Sequence, residues 1–548
     1  MKFGFPGIAL LVVIAGAIAG GLFGRFSTAS LADSSISPSR LLGDYREAVT
    51  TVENNYVSPI DHEKITDSSI QGMLWTLDPH SSFFTRDEFR KLAEEQASEF
   101  YGIGVSILQH RDGVYIQSVV PNTPAEKAGL RYGDRFLEVD GKDAREWTSA
   151  EVSKNVRGPK GTTVRLKIER PSAPAPLEFS IVRGGVPLPS IRNYFMLPNG
   201  VGYVGLTGGF QETTAEELAD AMRQLKTQGM TSLVLDLRSN PGGILEQAIA
   251  VCSRFLPPNK TVVTIKGRTA YSRPRELKTT SGERDDVPMT VLINGGSASA
   301  SEIVAGAVQD YGRGLIVGTD SFGKGLVQRV FYLPYGTGLT LTTARYYTPF
   351  GRSLQRDYSN GSIYDYYVHH SDEEDEESPE TAPQPKPAGS PVTLPDGRVL
   401  YGGRGIEPDV KILPLQFNAK RARIAEAAFF FVRQLVAGRI AGFESYRIER
   451  QNQSTDLKPG AFMVNDRLFE TFKSFAVNDK ENGLTASDID READFARLRI
   501  RYELATANNS NESGNRVLLE SDPQLLKAVE VMPDARKLME KNFAALLK

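Results

Sequence analysis

Three serines that alternate with alanines, together with a lysine farther along the chain, are the residues whose types could do chemistry. The segment NGGSASASEI (294–303) holds Ser297, Ser299 and Ser301, and TDSFGKGLVQRVFYL (319–333) holds Lys324. A serine hydroxyl needs a base before it can act as a nucleophile, and a Ser–Lys pair is an alternative to Ser-His-Asp. No histidine accompanies these serines in the sequence, so lysine is the base that the segment offers.

Lys324 can serve as a base only if its amine is neutral. A free lysine titrates near 10.4, so neutrality at pH 7 costs about 4–5 kcal/mol unless the pKa is shifted. Burial lowers a lysine pKa by several units, and the two flanking glycines with Phe322 and Leu326 beyond them are compatible with an apolar pocket. Gln328 lies four residues along what reads as the same strand, so alternation predicts that it shares a face with Lys324 and holds the neutral amine.

Three simpler interpretations compete for these residues. Ser299 followed by Glu302 ahead of the apolar run IVAGAV matches a helix capping box, which explains a serine without any chemistry. Residues 318–325 read G-x-x-x-x-G-K-G, but a phosphate loop ends in Ser or Thr and opens a helix, whereas this segment leads into an alternating strand. Ser321-x-x-Lys324 matches the β-lactamase motif, but its partners Ser-Asp-Asn and Lys-Thr-Gly are absent from the sequence.

The elements that must position the serine and the lysine follow an alternating pattern from about residue 200. Strands interleaved with helices of about 10–15 residues predict βαβ units around a largely parallel sheet. The predicted strands are VGYVGLTG, SLVLDLRS, MTVLING and GLIVGTD, and the predicted helices include TTAEELADAMRQLKTQG and ASEIVAGAVQDYG. This order places the serines where a buried strand turns into a helix.

The rest of the chain divides by composition. Residues 40–97 have apolar positions at helical spacing, residues 98–185 read as short strands with glycine turns, and residues 417–548 read as helices without a chemical motif. Residues 358–398 include the acidic, proline-rich run SDEEDEESPETAPQPKPAGSP and are predicted to form a solvated linker. We interpret His369 and His370 beside this run as part of a charged loop rather than as metal ligands.

The glycine-rich block ahead of the alternating strands and helices resembles a PDZ domain. The stretch VVPNTPAEKAGLRYGDRFLEVDGKD (119–143) has the alanine-glycine-leucine helix end, the Gly-Asp turn and the Val-Asp-Gly hairpin of that family. The resemblance implies a β domain whose sheet edge captures an extended peptide by its C-terminal carboxylate. The peptide-binding residues that it implies are Tyr101, Gly102, Ile103, Gly104, Val105 and Ile107. A spacer domain that binds nothing is the alternative.

The serine–lysine segment resembles the signature of the carboxy-terminal processing, or tail-specific, peptidases of serine peptidase family S41. The resemblance rests on NGGSASASEIVAGAVQDYGRGLIVGTDSFGKGLVQ and extends through LDPHSSFF, DLRSNPGG, ARYYTPFGRSLQ and GIEPDV. It implies a ClpP/crotonase-like α/β core over residues 186–357 and 399–416, with the PDZ domain inserted ahead of it. The site residues that it implies are the nucleophile Ser299, the base Lys324, the supporting Gln328 and the oxyanion-hole amides of Ala300 and Gly243.

This family resemblance implies a serine endopeptidase that cleaves exported proteins near their C-termini, with the PDZ domain recognising apolar tails. It implies neither a metal nor an organic cofactor. Two other functions stay open: a catalytically silent PDZ adaptor on a peptidase fold, and a crotonase-like acyl-transfer enzyme that shares the core architecture. An activating or adaptor protein and a homo-oligomer stay open as partners.

The N-terminus predicts export. The run FGFPGIALLVVIAGAIAGGLFG within residues 1–25 is long enough to cross a bilayer as an anchor. Ser30-Leu31-Ala32 offers a signal-peptidase site as the rival interpretation. Both interpretations place the remaining chain outside the cytoplasm, in the periplasm or cell envelope: anchored to the inner membrane, which we favour, or secreted after cleavage.

Bulk composition argues against nucleic-acid binding and against catalysis by a cysteine. The net charge of −3 means that the chain has no excess of basic residues with which to bind nucleic acid. Cys252 is the single cysteine of the chain, which rules out an intramolecular disulfide. Without a matched histidine context, Cys252 is predicted to be a small core residue rather than a nucleophile.

Overall fold

The computed structural model describes residues 37–96, 99–269, 272–358, 389–455, 457–458 and 460–546. The described residues divide into two compact units, one that ends at Ile70 and one that begins at Gln71. In the first unit, helix α1 (Pro38–Asn55) has Ser37 as its N-cap and buries none of its side chains; α2 (His62–Trp75) begins there. The predicted membrane segment, residues 1–25, lies outside the described residues, among which no helix is long and apolar enough to cross a bilayer.

A six-stranded sheet forms the centre of the second unit. In their order across the sheet, its strands are β10 (Ile191–Met196), β11 (Val201–Leu206), β12 (Ser232–Asp236), β15 (Met289–Ile293), β16 (Leu315–Gly318) and β21 (Val410–Lys411). All neighbouring pairs are parallel except β10 with β11 at one edge. The α/β pattern predicted from residue 200 onward is therefore confirmed.

Helices cover both faces of this sheet, which explains why β11, β12 and β15 are buried at every residue. One face packs against helices from within the α/β region: α6 (Thr214–Thr227), α7 (Leu245–Phe255) and α8 (Ala300–Asp310). Cys252 is buried in α7 and packs in this core, as predicted. The other face packs against residues of the C-terminal extension, among them Leu525, Ala528 and Met532.

A second sheet of the same unit is antiparallel, and one of its strands follows the loop that carries Lys324. It comprises β1 (Ser82–Phe84), β18 (Gly338–Tyr347), β13 (Thr261–Gly267) and β14 (Arg275–Lys278), and β17 (Leu326–Tyr332) pairs with β18. The prediction that residues 40–97 are helical is wrong at β1, although α3 (Arg86–Gln96) follows it. Strand β1 pairs with residues 338–340 of β18, so its backbone groups are satisfied by a distant partner that helical spacing does not reveal.

The predicted PDZ block is a small β domain. Its sheet contains β3 (Val105–His110), β4 (Gly113–Val119), β5 (Arg135–Val139), β6 (Lys142–Asp143), β7 (Thr163–Glu169) and β8 (Leu177–Val182). A two-stranded ladder of β2 (Glu99–Gly102) and β9 (Gly184–Pro187) joins its two ends. Its helices are α4 (Pro124–Ala128) and α5 (Ser149–Val156), and α5 begins with a capping box of Thr148 and Glu151.

The acidic, proline-rich excursion is described only at its ends. Residues 359–388, including His369 and His370, lie outside the described residues. The linker predicted through residue 398 is wrong in its last part, because β19 (Pro391–Thr393) pairs with β20 (Val399–Tyr401) in a hairpin. The turn of this hairpin contains Pro395, Asp396 and a left-handed Gly397 with φ +88°, residues that favour a tight turn.

The region after residue 417 is helical, as predicted. It contains α9 (Ala419–Val436), α10 (Asp466–Asn478), α11 (Ala486–Arg491), α12 (Ala493–Asn508), α13 (Asn511–Leu519), α14 (Pro523–Glu530) and α15 (Met532–Leu546). Aromatic side chains of α9 pack against Tyr115 and Tyr132 of the β domain, and the ring of His110 stacks on that of Phe429 at 4.0 Å between centroids. Since α14 and α15 also pack on the central sheet, this C-terminal extension contacts both the β domain and the α/β core.

Candidate active site

Ser299 occupies a strained position where a buried strand becomes a helix. It is the N-cap of α8 and has φ 54° and ψ −113°, a combination that costs a non-glycine residue about 1–3 kcal/mol. Turn bonds on both sides hold the distortion: Ser297 N donates to Asn294 O at 2.8 Å, and Ser301 N to Ala298 O at 3.1 Å. Such strain persists where the surroundings impose it, and it is concentrated at functional sites.

The neighbouring serines have different surroundings. Ser297 and Ser301 are fully buried, and their hydroxyls donate to the carbonyls of Leu237 at 2.8 Å and Asn240 at 2.9 Å. Ser299 alone of the three is partly accessible. The two flanking serines therefore tie the start of α8 to the loop after β12, and only the middle one is available to a substrate.

Lys324 lies in the loop between β16 and β17, two residues ahead of β17 rather than within it. Burial lowers the pKa of Lys324, while the nearby carboxylates of Glu302 and Asp78 oppose that shift. The net direction favours the neutral amine that a general base needs. Phe322 N donates to Ser297 O at 2.9 Å, so the lysine loop is bonded directly to the serine loop.

Glu302 joins the serine to the lysine. It is fully buried, and its Oε2 accepts from both Ser299 N at 2.9 Å and Lys324 N at 2.8 Å. Its Oε1 accepts from Ser321 Oγ at 2.5 Å and Gly323 N at 2.7 Å. Burial raises the pKa of Glu302, and these four donors oppose the rise. Sequence reasoning treated Glu302 only as a cap of α8, because its contacts with the lysine loop are not local.

Tyr346 completes the connection from the carbonyl side. Its buried hydroxyl lies 3.2 Å from Ser299 O and also contacts Lys324 O. Its backbone N donates to Gly325 O at 2.9 Å. Ser299 and Lys324 are thus held at their N–H groups by Glu302 and at their carbonyls by Tyr346. Tyr346 was visible in the sequence only as part of ARYYTPFGRSLQ, with no signal for this contact.

The structure does not support the predicted geometry of Gln328. Strand β17 begins only at Leu326, so Lys324 lies outside the strand and the alternation of β17 does not extend from residue 324 to residue 328. Gln328 Nε2 donates to Thr342 Oγ1 at 3.2 Å, and within the described residues it makes no hydrogen bond with Lys324.

The loop of residues 239–243 lies against Ser299. A Cβ atom added to Gly242 would stand 2.7 Å from Ser299 Cβ and 2.8 Å from Ala300 N. Asn240 Oδ1 accepts the Gly242 N–H at 2.9 Å. Within the described part of the chain, the N–H groups of Gly243 and Ala300 have no hydrogen-bond partner, as donors to an oxyanion would require.

A histidine from far upstream completes the surroundings of the lysine. His80 lies in the LDPHSSFF segment, and its ring packs against Phe322 at 6.3 Å between centroids. Burial, with the positive charges of Lys324 and Arg356, lowers the pKa of His80 to about 3 in spite of Asp78. The imidazole is therefore neutral near pH 7. Sequence reasoning missed it, because a local search around the serines cannot find a residue supplied by the chain ahead of the β domain.

The predicted peptide groove of the β domain is present as a cavity of about 360 Å³. Its lining includes Ile103, Gly104, Val105 and Ile107, together with Val152 and Val156 of α5 and Phe136. Within the described residues the N–H groups of Ile103 and Gly104 have no hydrogen-bond partner, so both can bind a carboxylate.

Two of the predicted groove residues lie elsewhere. Tyr101 and Gly102 belong to β2 and pair with Gly185 and Gly184 of β9, so they are not part of the cavity lining. Gly104 has φ +87°, and a Cβ there would stand 2.3 Å from Thr123. The loop therefore requires glycine at position 104.

Comparison with known proteins identifies both regions. The profile of peptidase family S41 matches residues 200–368, and that of the PDZ domain matches residues 91–169. The chain is 39% identical over 317 residues to a carboxy-terminal-processing protease of Bartonella bacilliformis, a match that covers 57% of this chain and 71% of that protein. It is 35% identical over 298 residues to a carboxyl-terminal-processing protease of Synechocystis, covering 53% and 69%.

Among solved structures, the photosystem II D1 C-terminal processing protease aligns with 26% identity and a TM-score of 0.36, over 69% of this chain and 94% of that one. The family assignment rests on the two sequence relatives, because each is more than 30% identical to this chain and the match covers more than two thirds of its length. The chain belongs to peptidase family S41 and is a serine peptidase of the carboxy-terminal processing type with a PDZ domain.

Proposed function

We propose that this chain cleaves exported proteins near their C-termini, with Ser299 as the nucleophile and Lys324 as the general base. One observation carries the assignment of the two residues. A strained, partly accessible serine and a lysine with a lowered pKa are bonded through their backbone N–H groups to the same oxygen of buried Glu302. The backbones of the two residues are therefore held in a defined relation before substrate arrives, which lowers the entropic cost of reaching the transition state.

The reaction follows from these positions. Neutral Lys324 takes the proton of the Ser299 hydroxyl, Ser299 Oγ attacks the scissile carbonyl, and the oxyanion accepts hydrogen bonds from the N–H groups of Ala300 and Gly243. Loss of one such donor costs about 2.7–4 kcal/mol in transition-state stabilisation. The lysine ammonium then gives its proton to the leaving amine. Water hydrolyses the acyl-enzyme, with Lys324 again acting as the base.

The substrate class follows from the PDZ groove and from the relatives. The groove combines two free N–H groups with a lining of valine, isoleucine and phenylalanine side chains. A free carboxylate with apolar side chains behind it satisfies both features. Since two relatives are named for processing at the carboxy terminus, the groove would select the protein whose tail is cut.

The cellular location is proposed from residues 1–25 alone. An apolar segment of this length directs the following chain out of the cytoplasm. We propose a membrane-anchored enzyme that acts in the periplasm or cell envelope. Release from washed membranes by detergent, but not by salt, would support the anchor, and a shortened mature N-terminus would instead indicate signal cleavage.

The test uses the full chain in mild detergent and an unstructured polypeptide that ends in apolar residues. The parent protein should cut this polypeptide near its tail, and the variants Ser299→Ala and Lys324→Ala should not cut it. The control variant Lys537→Ala should cut it like the parent, because Lys537 is exposed on α15. Cleavage that survives Ser299→Ala or Lys324→Ala would refute the pair. Tail binding without cleavage by the parent would identify the silent adaptor.

A further inference from the structure

The C-terminal extension reaches the loop that carries the proposed oxyanion donor. Arg238 stands just ahead of this loop, and its Nη1 donates to Asp522 Oδ2 at 2.6 Å and to Gln524 Oε1 at 2.9 Å. Both acceptors belong to the start of α14, far along the sequence. The side chain of Arg238 is 14% exposed, so this contact is largely shielded from water.

The remaining donors of Arg238 face the opposite way. Its Nε and Nη2 bond to Asp236 at 3.0 and 2.7 Å, and Asp236 in turn accepts from the Tyr203 hydroxyl at 2.8 Å. The guanidinium is therefore held between a carboxylate of the central sheet and a carboxylate of the extension. Removing one partner from such a buried group is expensive, because the remaining charge loses its compensation.

The loop after Arg238 transmits this fixed position to the catalytic serine. Ser239 is held in the left-handed region with φ 55°. Asn240 Nδ2 donates to Leu206 O at 2.7 Å, and Asn240 O accepts from Ala298 N at 3.0 Å, next to Ser299. Gly243 then follows Gly242, which abuts Ser299. A displacement at Arg238 would thus move the Gly243 amide relative to the nucleophile.

Asp522 divides its two oxygens between the loop and its own helix. Oδ1 caps α14 by accepting from Gln524 N at 2.8 Å and Leu525 N at 3.2 Å, while Oδ2 binds Arg238. Leu525 is buried against the central sheet. Gln524 Nε2 donates to Ile412 O at 2.9 Å, which ties the same helix start to the end of β21. The acceptors of Arg238 are therefore on a rigid support.

We propose that Asp522 is a positioning residue for catalysis, acting through Arg238 to hold the Gly243 amide against Ser299. This inference rests on the proposed function, since it assumes that Gly243 donates to the oxyanion. The oxyanion exists only in the transition state and the intermediates, so a displaced donor should lower kcat and leave substrate binding unchanged. A displacement of about 1 Å can reduce the rate about a hundredfold.

The variants Asp522→Asn and Asp522→Ser test this role, because both keep an oxygen that can cap α14 while removing the charge that binds Arg238. The matched control is Glu530→Gln on the same helix, whose ion pair with Lys527 is exposed. The assay measures cleavage of an unstructured polypeptide that ends in apolar residues, and each variant is tested as the full-length protein. Each rate is expressed per active site titrated with a fluorophosphonate, so that misfolded molecules do not contribute.

We expect kcat per titrated site to fall about tenfold to a hundredfold in both Asp522 variants. KM and the affinity for a tail peptide, measured by fluorescence anisotropy, should stay at the parent values, and Glu530→Gln should match the parent throughout. A parent-like kcat in either Asp522 variant would overturn the proposal. So would a loss confined to KM, to tail affinity or to the fraction of titratable sites. Failure of the parent itself to cleave would instead refute the proposed function.

Discussion

Replacing Glu302 by glutamine tests the link between the proposed nucleophile and its base. The carboxylate accepts four hydrogen bonds, and three of its donors are backbone N–H groups that cannot act as acceptors. These donors favour the ionised carboxylate. A glutamine can keep its carbonyl oxygen toward Ser299 N and Lys324 N and turn its NH2 toward Ser321 Oγ. The Gly323 N–H and the Ser321 O–H then both lose their acceptor.

The size of the effect follows from this count. Each buried donor left without a partner lowers the free energy of unfolding by about 1–3 kcal/mol, and removal of a buried charge partly offsets this loss. The same change acts on the base. Glu302 raises the pKa of Lys324 against the lowering by burial, since a nearby negative charge stabilises the ammonium. Without that charge, the pKa of Lys324 should fall further, so the neutral base should be available at lower pH.

The assay is the pH profile of kcat/KM for a tailed polypeptide, measured for the parent, Glu302→Gln and Glu302→Asp. The acid limb of this profile reports the ionisation of the free enzyme's base. It should shift to lower pH in Glu302→Gln, while the maximal rate falls. Glu302→Asp should lower the rate without that shift, because it keeps the charge and shortens the reach. An acid limb that stays in place or moves to higher pH in Glu302→Gln would refute the argument that an ionised Glu302 acts on Lys324.

Three further substitutions test the surroundings of the site. His80→Gln should reduce kcat/KM by less than about tenfold, because an imidazole with a pKa of about 3 is a weak base near neutral pH; a loss equal to that of Lys324→Ala would make His80 the base. Tyr346→Phe should lower kcat, and it should lower the free energy of unfolding by about 1–3 kcal/mol, because the carbonyls of Ser299 and Lys324 lose their shared donor. A thermal denaturation midpoint equal to that of the parent would contradict this prediction. Gly104→Ala should weaken binding of a tail peptide, because its Cβ would overlap Thr123, yet leave cleavage of a short untailed peptide unchanged; intact tail affinity would exclude this loop as the carboxylate site.

Much of the fold was readable from local patterns. The apolar runs SLVLDLRS and MTVLING predicted buried parallel strands, and the helix after the second strand begins at the predicted serines. These features are readable because burial imposes a repeat of two or 3.6 residues on neighbouring positions. The same alternation does not extend from Lys324 to Gln328, since β17 begins only at Leu326, and the supporting role of Gln328 stays a prediction.

The sequence by itself determined the fold class, the family, the PDZ domain and the identities of the candidate residues Ser299 and Lys324. Tertiary structure alone decided what holds them. Glu302 proved to contact the lysine loop as well as its own helix, His80 came from ahead of the PDZ domain, and Arg238 found its partner in α14. Each of these contacts joins residues that are distant in the chain, and those of Glu302 and Arg238 are hydrogen bonds of polar side chains. Such groups are selected to satisfy one another's hydrogen bonds and charges in three dimensions, a requirement that leaves no periodic trace along the chain.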